Sequence, residues 1–431
     1  MQKSRRKSAF LLPVKLTSSV TAKHNPWLAA FAICVYSYFR DSNMSFRSAL
    51  SFSLTALVVV LAGCGKSSTD QAAASGEMLV RIGSVAPLTG PQAHLGKDNE
   101  NGTRMAIDDA NAKGIVIGGK KLHFELISED DQADPKTATI VAQKLVDNKV
   151  AGVIGHLNSG TTIPAAKIYN DNGIAQISPS ATAVSYTNQG FKTAFRVMAN
   201  DAQQGHALGE YAVKNLAASK IAIIDDRTAY GQGLADEFIK AARAAGAQIV
   251  AHEYTSYKSV DFTAVLTAVK GKQPDLLFYG GMDAQGGPMA RQIKALALNV
   301  KFVMGDGGYT PEFVKLAGDA AEGTYASLPG VPLDKMPGGK EFSARFVAKY
   351  QPIQLYAPYC YDAVNVMIAA MQKADSIDPA KYMPALAGIS HAGITANIQF
   401  DAKGDLKDGA VTLYQVKHGK WQALETVGAA H

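Results

Sequence analysis

Short apolar runs alternate with amphipathic stretches along most of the chain after residue 78. Runs with the length and β-branched content of strands lie at 79–85, 121–128, 151–155, 174–178, 220–225, 247–253, 275–279 and 301–305. Apolar positions with helical spacing fill much of the sequence between them, at 96–112, 135–148, 160–171, 231–245, 262–271 and 285–298. This repeated strand–helix–strand order predicts an α/β fold whose parallel sheets are covered by helices on both faces.

The strand–helix units are too many for one sheet and predict two Rossmann-like lobes. The alternation restarts near 195–201 and breaks again at 328–332. It ends in two strand-like runs, 394–400 and 411–416, which are joined by a turn rich in Gly and Asp.

These breaks define the expected lobes. The first lobe is expected to comprise 78–199 and 331–408, and the second 200–330 and 409–431. The chain would then cross between the lobes three times and form a hinge beside a cleft. Clefts at the carboxyl ends of parallel strands are where α/β folds bind ligands.

Residues 44–63 have the pattern of an export signal. Arg47 supplies the positive start and 49–61 the apolar core, which is shorter than a membrane span. The segment ends in Leu-Ala-Gly followed by Cys64, which resembles the bacterial lipobox, where the cysteine receives lipid. The sequence therefore predicts an exported, periplasmic protein anchored to a membrane at Cys64. The alternative is a plain signal peptide with an incidental cysteine.

Two further segments flank this signal. Residues 64–77 are rich in Ser and Ala and lack large apolar side chains, as expected of a flexible tether. Residues 1–43 place a second hydrophobic stretch before a complete signal. We interpret 1–43 as an upstream extension and Met44 as the true start.

The net charge of +6 is concentrated in the leader. Residues 1–64 hold eight of the 43 Lys and Arg residues and one of the 37 acids, which leaves 35 basic and 36 acidic residues in the remainder. A nearly neutral body argues against nucleic acid as a partner. Of the three cysteines, only Cys360 lies in the body, where burial in a helix is expected.

No signature of catalysis is apparent in the chain. It contains no Gly-x-Ser-x-Gly elbow, Walker loop, His-Glu-x-x-His or paired-cysteine metal motif. His156 is expected to be a packed or surface residue, and the acidic run 129–131 a solvated strand end instead of a metal site. We therefore predict no enzymatic activity, no cofactor and no metal.

Several short motifs of the body occur in a characteristic order. They are DD at 130–131, DP at 134–135, GHLNS at 155–159, SPSAT at 178–182, YGQGLA at 230–235, YGG at 279–281 and FDAKGDL at 400–406. Their joint order and spacing resemble the periplasmic leucine/isoleucine/valine-binding proteins, which are type I periplasmic binding proteins of ABC importers. The resemblance extends from about residue 79 to the C-terminus.

The resemblance implies two lobes that close over a free amino acid and deliver it to an ABC permease. Branched-chain amino acids are the expected ligands. The carrier would be a monomer. The first lobe would hold the zwitterion, and the second would approach it from across the cleft. Carried over by position, the binding residues are Leu95, Leu157, Ser159, Ser180, Ala181, Thr182, Tyr230, Met282, Asp306 and Tyr356.

The chemistry of these residue types fits a zwitterion. Ser159 follows a strand and opens a helix, where free N–H groups and the helix dipole favour a carboxylate. Asp306 would pair with the ammonium group. Ser159 as a plain helix cap and Asp306 as a turn residue are the alternatives. A one-residue slip in alignment would move the family's acid onto Gly307.

The chain departs from the family in the wall of the side-chain pocket and at a disulfide. Met282 and Asp283 follow Tyr-Gly-Gly where relatives often have Tyr, and Leu95 also replaces an aromatic wall residue. Ala133 and Asn158 occupy the positions of a disulfide in relatives. Two alternatives therefore remain. The ligand is another small amino acid or related solute, or the protein is an amino-acid or amide sensor on the same fold.

Overall fold

The computed structural model describes residues 76–428. The predicted export signal, Cys64 and most of the predicted tether lie outside the described residues. Within 76–428, no helix is both long enough and apolar enough to cross a membrane. Two sheets organise this part of the chain, and each forms the centre of one lobe.

The first sheet has six strands in the order β2-β3-β1-β4-β5-β6. All neighbouring pairs are parallel except β2 with β3. The elements of this part are β1 (Met78–Ala86), α1 (Ala93–Lys113), β2 (Val116–Ile117), β3 (Lys120–Asp130), α2 (Pro135–Asp147), β4 (Gly152–Gly155), α3 (Ser159–Asp171), β5 (Gln176–Ser178) and β6 (Ala194–Arg196).

The second sheet begins after the first crossing between the lobes. Its strands β7 to β11 are parallel to one another. The elements here are α4 (Asp201–Lys214), β7 (Lys220–Asp225), α5 (Ala229–Ala244), β8 (Gln248–Tyr254), α6 (Thr263–Lys270), β9 (Leu276–Gly280), α7 (Asp283–Ala295), β10 (Lys301–Met304), α8 (Pro311–Ala317) and β11 (Tyr325–Pro329).

The chain then returns to the first lobe and crosses back once more. The remaining elements are α9 (Gly339–Lys349), α10 (Ala357–Lys373), α11 (Pro379–Ala387), β12 (Ser390–Ala392), β13 (Asn397–Gln399), β14 (Val411–Lys417) and β15 (Lys420–Val427). Strands β12 and β13 pair only with each other, whereas β14 and β15 complete the second sheet in the order β15-β14-β11-β10-β9-β7-β8. The two tail strands add to this sheet in antiparallel orientation.

Burial explains why these segments form parallel strands. In β7, Ile221, Ala222, Ile223 and Ile224 are all fully buried, as a strand with helices over both faces requires. Some of the helices begin at polar side-chain caps. At the start of α2, for example, Asp134 accepts hydrogen bonds from the N–H groups of Lys136 and Thr137.

Helices α1 and α10 pack closely in the first lobe. Gly102 allows this contact, because a Cβ at that position would collide with the backbone carbonyl of Ala357. On the same face of α1, the buried Asp98 carboxylate accepts hydrogen bonds from the N–H groups of Gln354, Leu355 and Ala357, at 2.8, 3.0 and 2.9 Å. The start of α10 is therefore fixed by α1.

A buried ion pair secures the first and third crossings. Arg196, at the end of β6, donates to Asp405 at 2.6 Å. The same guanidinium donates to the carbonyl groups of Ala181 and Ala183, at 2.8 and 3.0 Å. Asp405 also accepts a hydrogen bond from Asn200, the cap of α4. The loop that contains Thr182 is thus held against both crossing segments.

The predicted α/β fold with two lobes is confirmed, and all the predicted strands and helices are present with small differences at their ends. The first prediction to fail concerns Asp131, which is not a solvated strand-end acid. It is fully buried and lies 2.8 Å from Nδ1 of His156, whose Nε2 lies 3.0 Å from the Tyr169 hydroxyl. Cys360 is buried in α10, as predicted.

Candidate ligand-binding site

A buried carboxylate forms the centre of the candidate site. Asp306 follows β10, at the carboxyl edge of the second sheet, and only 1% of it is exposed. Its Oδ1 accepts hydrogen bonds from Gln204 Nε2 at 3.1 Å and from the Tyr230 hydroxyl at 2.8 Å. All its hydrogen-bond donors are uncharged, and no ion pair to Asp306 occurs within residues 76–428.

The first lobe contacts the same carboxylate. Tyr356, immediately before α10, donates its hydroxyl to Asp306 Oδ2 at 2.6 Å. This bond crosses the cleft, because Tyr356 is held by α1 and Asp306 by the second sheet. The Tyr230 hydroxyl meanwhile accepts the N–H of Gly307 at 2.9 Å, so its proton is directed to Asp306.

Burial determines the electrostatics of this centre. Removal from water raises the pKa of Asp306, although the hydrogen bonds from Tyr356, Tyr230 and Gln204 lower it in part. Burial also raises the pKa of Asp201 to about 8, opposed by the Thr182 hydroxyl and increased by the charge of Asp306. An ionised Asp306 therefore needs a cation that the neighbouring side chains do not provide.

Hydroxyl and N–H groups face this carboxylate from the first lobe. Ser159 is the first residue of α3. The backbone hydrogen bonds of this helix begin at Thr161, so the N–H groups of Ser159 and Gly160 have no acceptor within the helix. The Ser159 hydroxyl accepts the N–H of Ala183 at 3.1 Å, and its own proton stays available for donation. Ser180 donates its hydroxyl to the carbonyl of Leu157 at 3.0 Å.

These groups line one small cavity between the lobes. Its lining consists of Leu157, Asn158, Ser159, Ser180, Tyr230, Met282, Asp306 and Tyr356, and its volume is about 10 Å³. Seven of these eight residues are among those that the sequence places at the site. The other predicted residues, Leu95, Ala181 and Thr182, are buried nearby but lie outside the lining.

Sequence reasoning missed several groups around the cavity. Gln204 makes two hydrogen bonds with Asp306. Its Nε2 donates to the Asp306 carboxylate, and its Oε1 accepts the Asp306 N–H at 3.0 Å. His94 and Asp283 meet across the cleft at 2.8 Å, next to Leu95 and Met282. The departure at Met282-Asp283 was a usable signal for the second pair, whereas no local pattern distinguishes Gln204.

Comparison with known protein families matches residues 79–420 to one described as periplasmic binding protein. The chain belongs to the periplasmic binding protein family. Its match extends over both lobes and includes every residue of the cavity. In this periplasmic binding protein, no cluster of His, Cys, Asp or Glu suited to a metal ion occurs within residues 76–428.

Curated relatives cover most of this periplasmic binding protein. It is 34% identical over 84% of its length to the leucine-, isoleucine-, valine-, threonine- and alanine-binding protein of Pseudomonas aeruginosa, of which the match covers 95%. It is 33% identical over 80% of its length to the Leu/Ile/Val-binding protein BraC3 of Rhizobium johnstonii, of which 94% is covered.

Solved structures agree with the fold. The leucine-binding protein LivK from Thermotoga maritima is 26% identical, with a TM-score of 0.75 over 80% of this chain and 98% of its own. The branched-chain amino acid transporter substrate-binding protein LivJ from Streptococcus pneumoniae, solved with isoleucine, is 28% identical. Its TM-score is 0.74, and the match covers 81% of this chain and 99% of LivJ.

Proposed function

We propose that this protein captures a free amino acid, with leucine, isoleucine and valine as the expected ligands, for an ABC importer. The observation that carries the proposal is the Asp306 carboxylate, which is buried among uncharged donors at the junction of the lobes. An α-ammonium group would supply the missing positive charge. The relatives named as Leu/Ile/Val-binding proteins support this choice of ligand class.

The proposed roles follow from the geometry. The ligand ammonium would bind Asp306 and the carboxylate would accept hydrogen bonds from Ser159 and the first turn of α3. Leu157, Met282 and Tyr356 would contact the aliphatic side chain. Both ends of a zwitterion would then be paired, which is necessary because an unpaired buried ion is strongly unfavourable.

The cavity volume implies that the lobes move during capture. A volume of about 10 Å³ is near the lower limit for one water molecule. An amino acid therefore needs the lobes to separate before it enters. The three crossings give a hinge for this movement, and the Tyr356–Asp306 bond is one contact that must rearrange around the ligand.

Substitution of Asp306 tests the proposal. Asp306→Asn retains the shape and two of the three acceptor interactions but removes the charge, so leucine affinity should fall at least about 100-fold. Isothermal titration calorimetry of the mature protein measures this. Asp261→Asn, an exposed turn acid of the second lobe, is the matched control and should bind as the wild type does. Undiminished leucine binding by Asp306→Asn would refute the assignment.

The partner and the tether belong to the same proposal. The closed protein would present both lobes to the permease of an ABC importer, and lipid on Cys64 would hold the body at the membrane surface. The family match supports an extracytoplasmic carrier. Intact mass of the native protein checks the tether, and a mature form that retains residues before Cys64 would contradict it.

A further inference from the structure

An apolar space lies between the lobes, to one side of the ligand cavity. Its volume is about 370 Å³, and ten of its thirteen lining residues have apolar or aromatic side chains. It shares no lining residue with the ligand cavity. The ligand cavity has closed to about 10 Å³, whereas this space remains large enough for a small organic molecule. Contact between the lobes therefore leaves a second volume open between them.

Both lobes form the walls of the apolar space. In the second lobe, the Trp421 indole is fixed by its hydrogen bond to the Thr310 carbonyl, and its ring lies 5.4 Å from the ring of Tyr309, measured between centroids. Leu355 and Pro358 of the first lobe face these rings. Rings that are already fixed lose little conformational entropy when a molecule binds against them.

One cationic group borders this apolar lining. Lys420, the first residue of β15, is the only charged residue among the thirteen that line the space, and it is exposed. Its ammonium group has neither an ion pair nor a hydrogen bond to any residue in 76–428. A carboxylate would pair with this group while an apolar body filled the rest of the space. The lining therefore fits a small monocarboxylate with an apolar body.

Short connections link the apolar space to the contact across the cleft. Tyr309 lies three residues after Asp306, and its N–H donates to the Asp306 carbonyl at 2.9 Å. Leu355 and Pro358 flank Tyr356, whose hydroxyl donates to the Asp306 carboxylate at 2.6 Å. A molecule in the space would touch both segments that meet across the cleft. Separation of the lobes would take its opposite walls apart, so such a molecule would bind the closed form more tightly than the open form.

We propose that the apolar space is a second binding site, for a small monocarboxylate with an aromatic or branched aliphatic body, and that its occupant increases the affinity of the protein for its amino acid. The two sites are coupled because binding at each favours the closed form, and such coupling is reciprocal. The second site stands apart from the proposed function, whereas its effect on amino-acid affinity rests on that function.

Isothermal titration calorimetry with 3-phenylpropanoate tests the second site. The mature protein is first saturated with leucine, so that the ligand cavity is occupied. We expect 3-phenylpropanoate to bind this form, and we expect the affinity for leucine to be about fivefold higher when 3-phenylpropanoate is saturating. A lower affinity for leucine would overturn the proposal, because it would mean competition for the ligand cavity. An unchanged affinity for leucine would overturn the coupling.

Substitutions in the lining locate the binding. Lys420→Gln should weaken the binding of 3-phenylpropanoate about threefold, the size expected of one exposed ion pair, and leave leucine binding unchanged. Lys417→Gln is the matched control and should have no effect, because Lys417 pairs with Lys420 across the same turn but does not line the space. Val314→Phe places a ring in the space and should abolish the binding of 3-phenylpropanoate. Equal affinity in the wild type and both lining variants would refute the site.

The outcomes separate this inference from the proposed function. If leucine binds and 3-phenylpropanoate does not, the second site alone is refuted. If leucine does not bind, the proposed function fails, and titration of the leucine-free protein and the same variants with 3-phenylpropanoate still decides whether the second site exists. Should Val314→Phe unfold, Lys420→Gln, a change at an exposed position, gives the same comparison.

Discussion

Two buried carboxylates where the lobes meet, those of Asp306 and Asp283, have different hydrogen-bond partners. Asp306 receives only neutral donors, whereas Asp283 faces an imidazole across the cleft, with His94 Nε2 at 2.8 Å. Asp283 is fully buried and also accepts the Thr310 hydroxyl at 2.6 Å. His94 therefore brings to the second lobe a charge that depends on pH.

Ligand affinity should depend on the protonation of His94. Burial alone lowers the pKa of His94, but the hydrogen bond and the charge of Asp283, with Glu312 and Asp98 nearby, outweigh it and raise the pKa above 6.5. Protonated His94 therefore stabilises contact between the lobes. This contribution is complete below about pH 6.5 and is lost as the pH rises through the raised pKa. In calorimetric titrations, the affinity for leucine should therefore fall as the pH is raised from about 5.5 to about 8.5.

His94→Gln provides the comparison for this prediction. Gln has no titrating charge but can still donate a hydrogen bond to Asp283, so the fall in leucine affinity across this pH range should be smaller in the variant than in the wild type. His206→Gln, on the exposed surface of α4, should keep the wild-type profile. A wild-type profile that persists in His94→Gln would rule out this pair as the origin.

For single residues of the site, the sequence predicts mainly those that directly follow a strand. Ser159 and Asp306 follow β4 and β10 closely, and the edge rule for α/β sheets places such residues in a cleft. Gln204 and His94 act through partners 102 and 189 residues away. No periodicity encodes such distances, and for that reason the two residues were missed.

Among the secondary-structure elements, the junction of α1 with α10 has the most direct effect on the site. The Asp98 carboxylate binds three N–H groups around Tyr356, and Tyr356 in turn binds Asp306. Burial raises the pKa of Asp98, and the N–H groups oppose that rise. The helix start is therefore positioned by a buried acid that does not itself line the cavity.

Asp98→Ala should destabilise the protein and misplace Tyr356. Three buried N–H groups would lose their acceptor, so the free energy of unfolding should fall by about 3 kcal/mol, as measured by urea denaturation. Asp134→Ala, at the N-cap of α2, is the matched control and should lose about 1 kcal/mol. If the free energy of unfolding falls equally in the two variants, the buried hydrogen bonds of Asp98 stabilise the protein no more than an ordinary helix cap does.

The predictability of elements follows their burial pattern. Strand β7 was predicted because it is a short continuous apolar run, and helix α5 because its apolar positions follow the helical period. Helices α9 to α11 were not assigned from the sequence. For α10 the reason is its burial on nearly every side, which leaves it without an amphipathic period. Strand β15 was missed because it is a mostly exposed edge strand.

For the molecule as a whole, closure depends on surfaces that both lobes contribute. One of these is an apolar space of about 370 Å³, in which Trp421 and Tyr309 of the second lobe face Leu355 and Pro358 of the first. The Trp421 indole N–H donates to the Thr310 carbonyl at 3.0 Å, which fixes the ring to the second lobe. In the proposed closure, the first lobe would approach this ring.

Trp421 should report closure by its fluorescence. The chain has two tryptophans, and Trp27 precedes the predicted cleavage site, so Trp421 is expected to be the single tryptophan of the mature protein. Leucine should shift its emission to shorter wavelength, because closure removes water from the ring. The shift should saturate with the calorimetric dissociation constant and be absent in Asp306→Asn. An unchanged spectrum with a ligand that binds would argue against closure around Trp421.

The two-lobed plan was predictable because the alternation of elements restarts and because the motif order resembles a known family. The sequence placed the two tail runs in different lobes, but it did not predict their strand partners. The runs 394–400 and 411–416 look alike in sequence, yet β13 pairs with β12 and β14 joins the second sheet. Pairing between distant segments decides this, and a local pattern does not contain it.

The burial of Cys360 makes the body convenient as an optical sensor. This thiol is fully buried and burial raises its pKa, so it should resist alkylating dyes. One cysteine introduced at the exposed Ile140 of the first lobe or Val260 of the second would then be the sole reactive thiol of the body. A dye on either lobe could follow amino-acid capture in real time, without first removing a native cysteine.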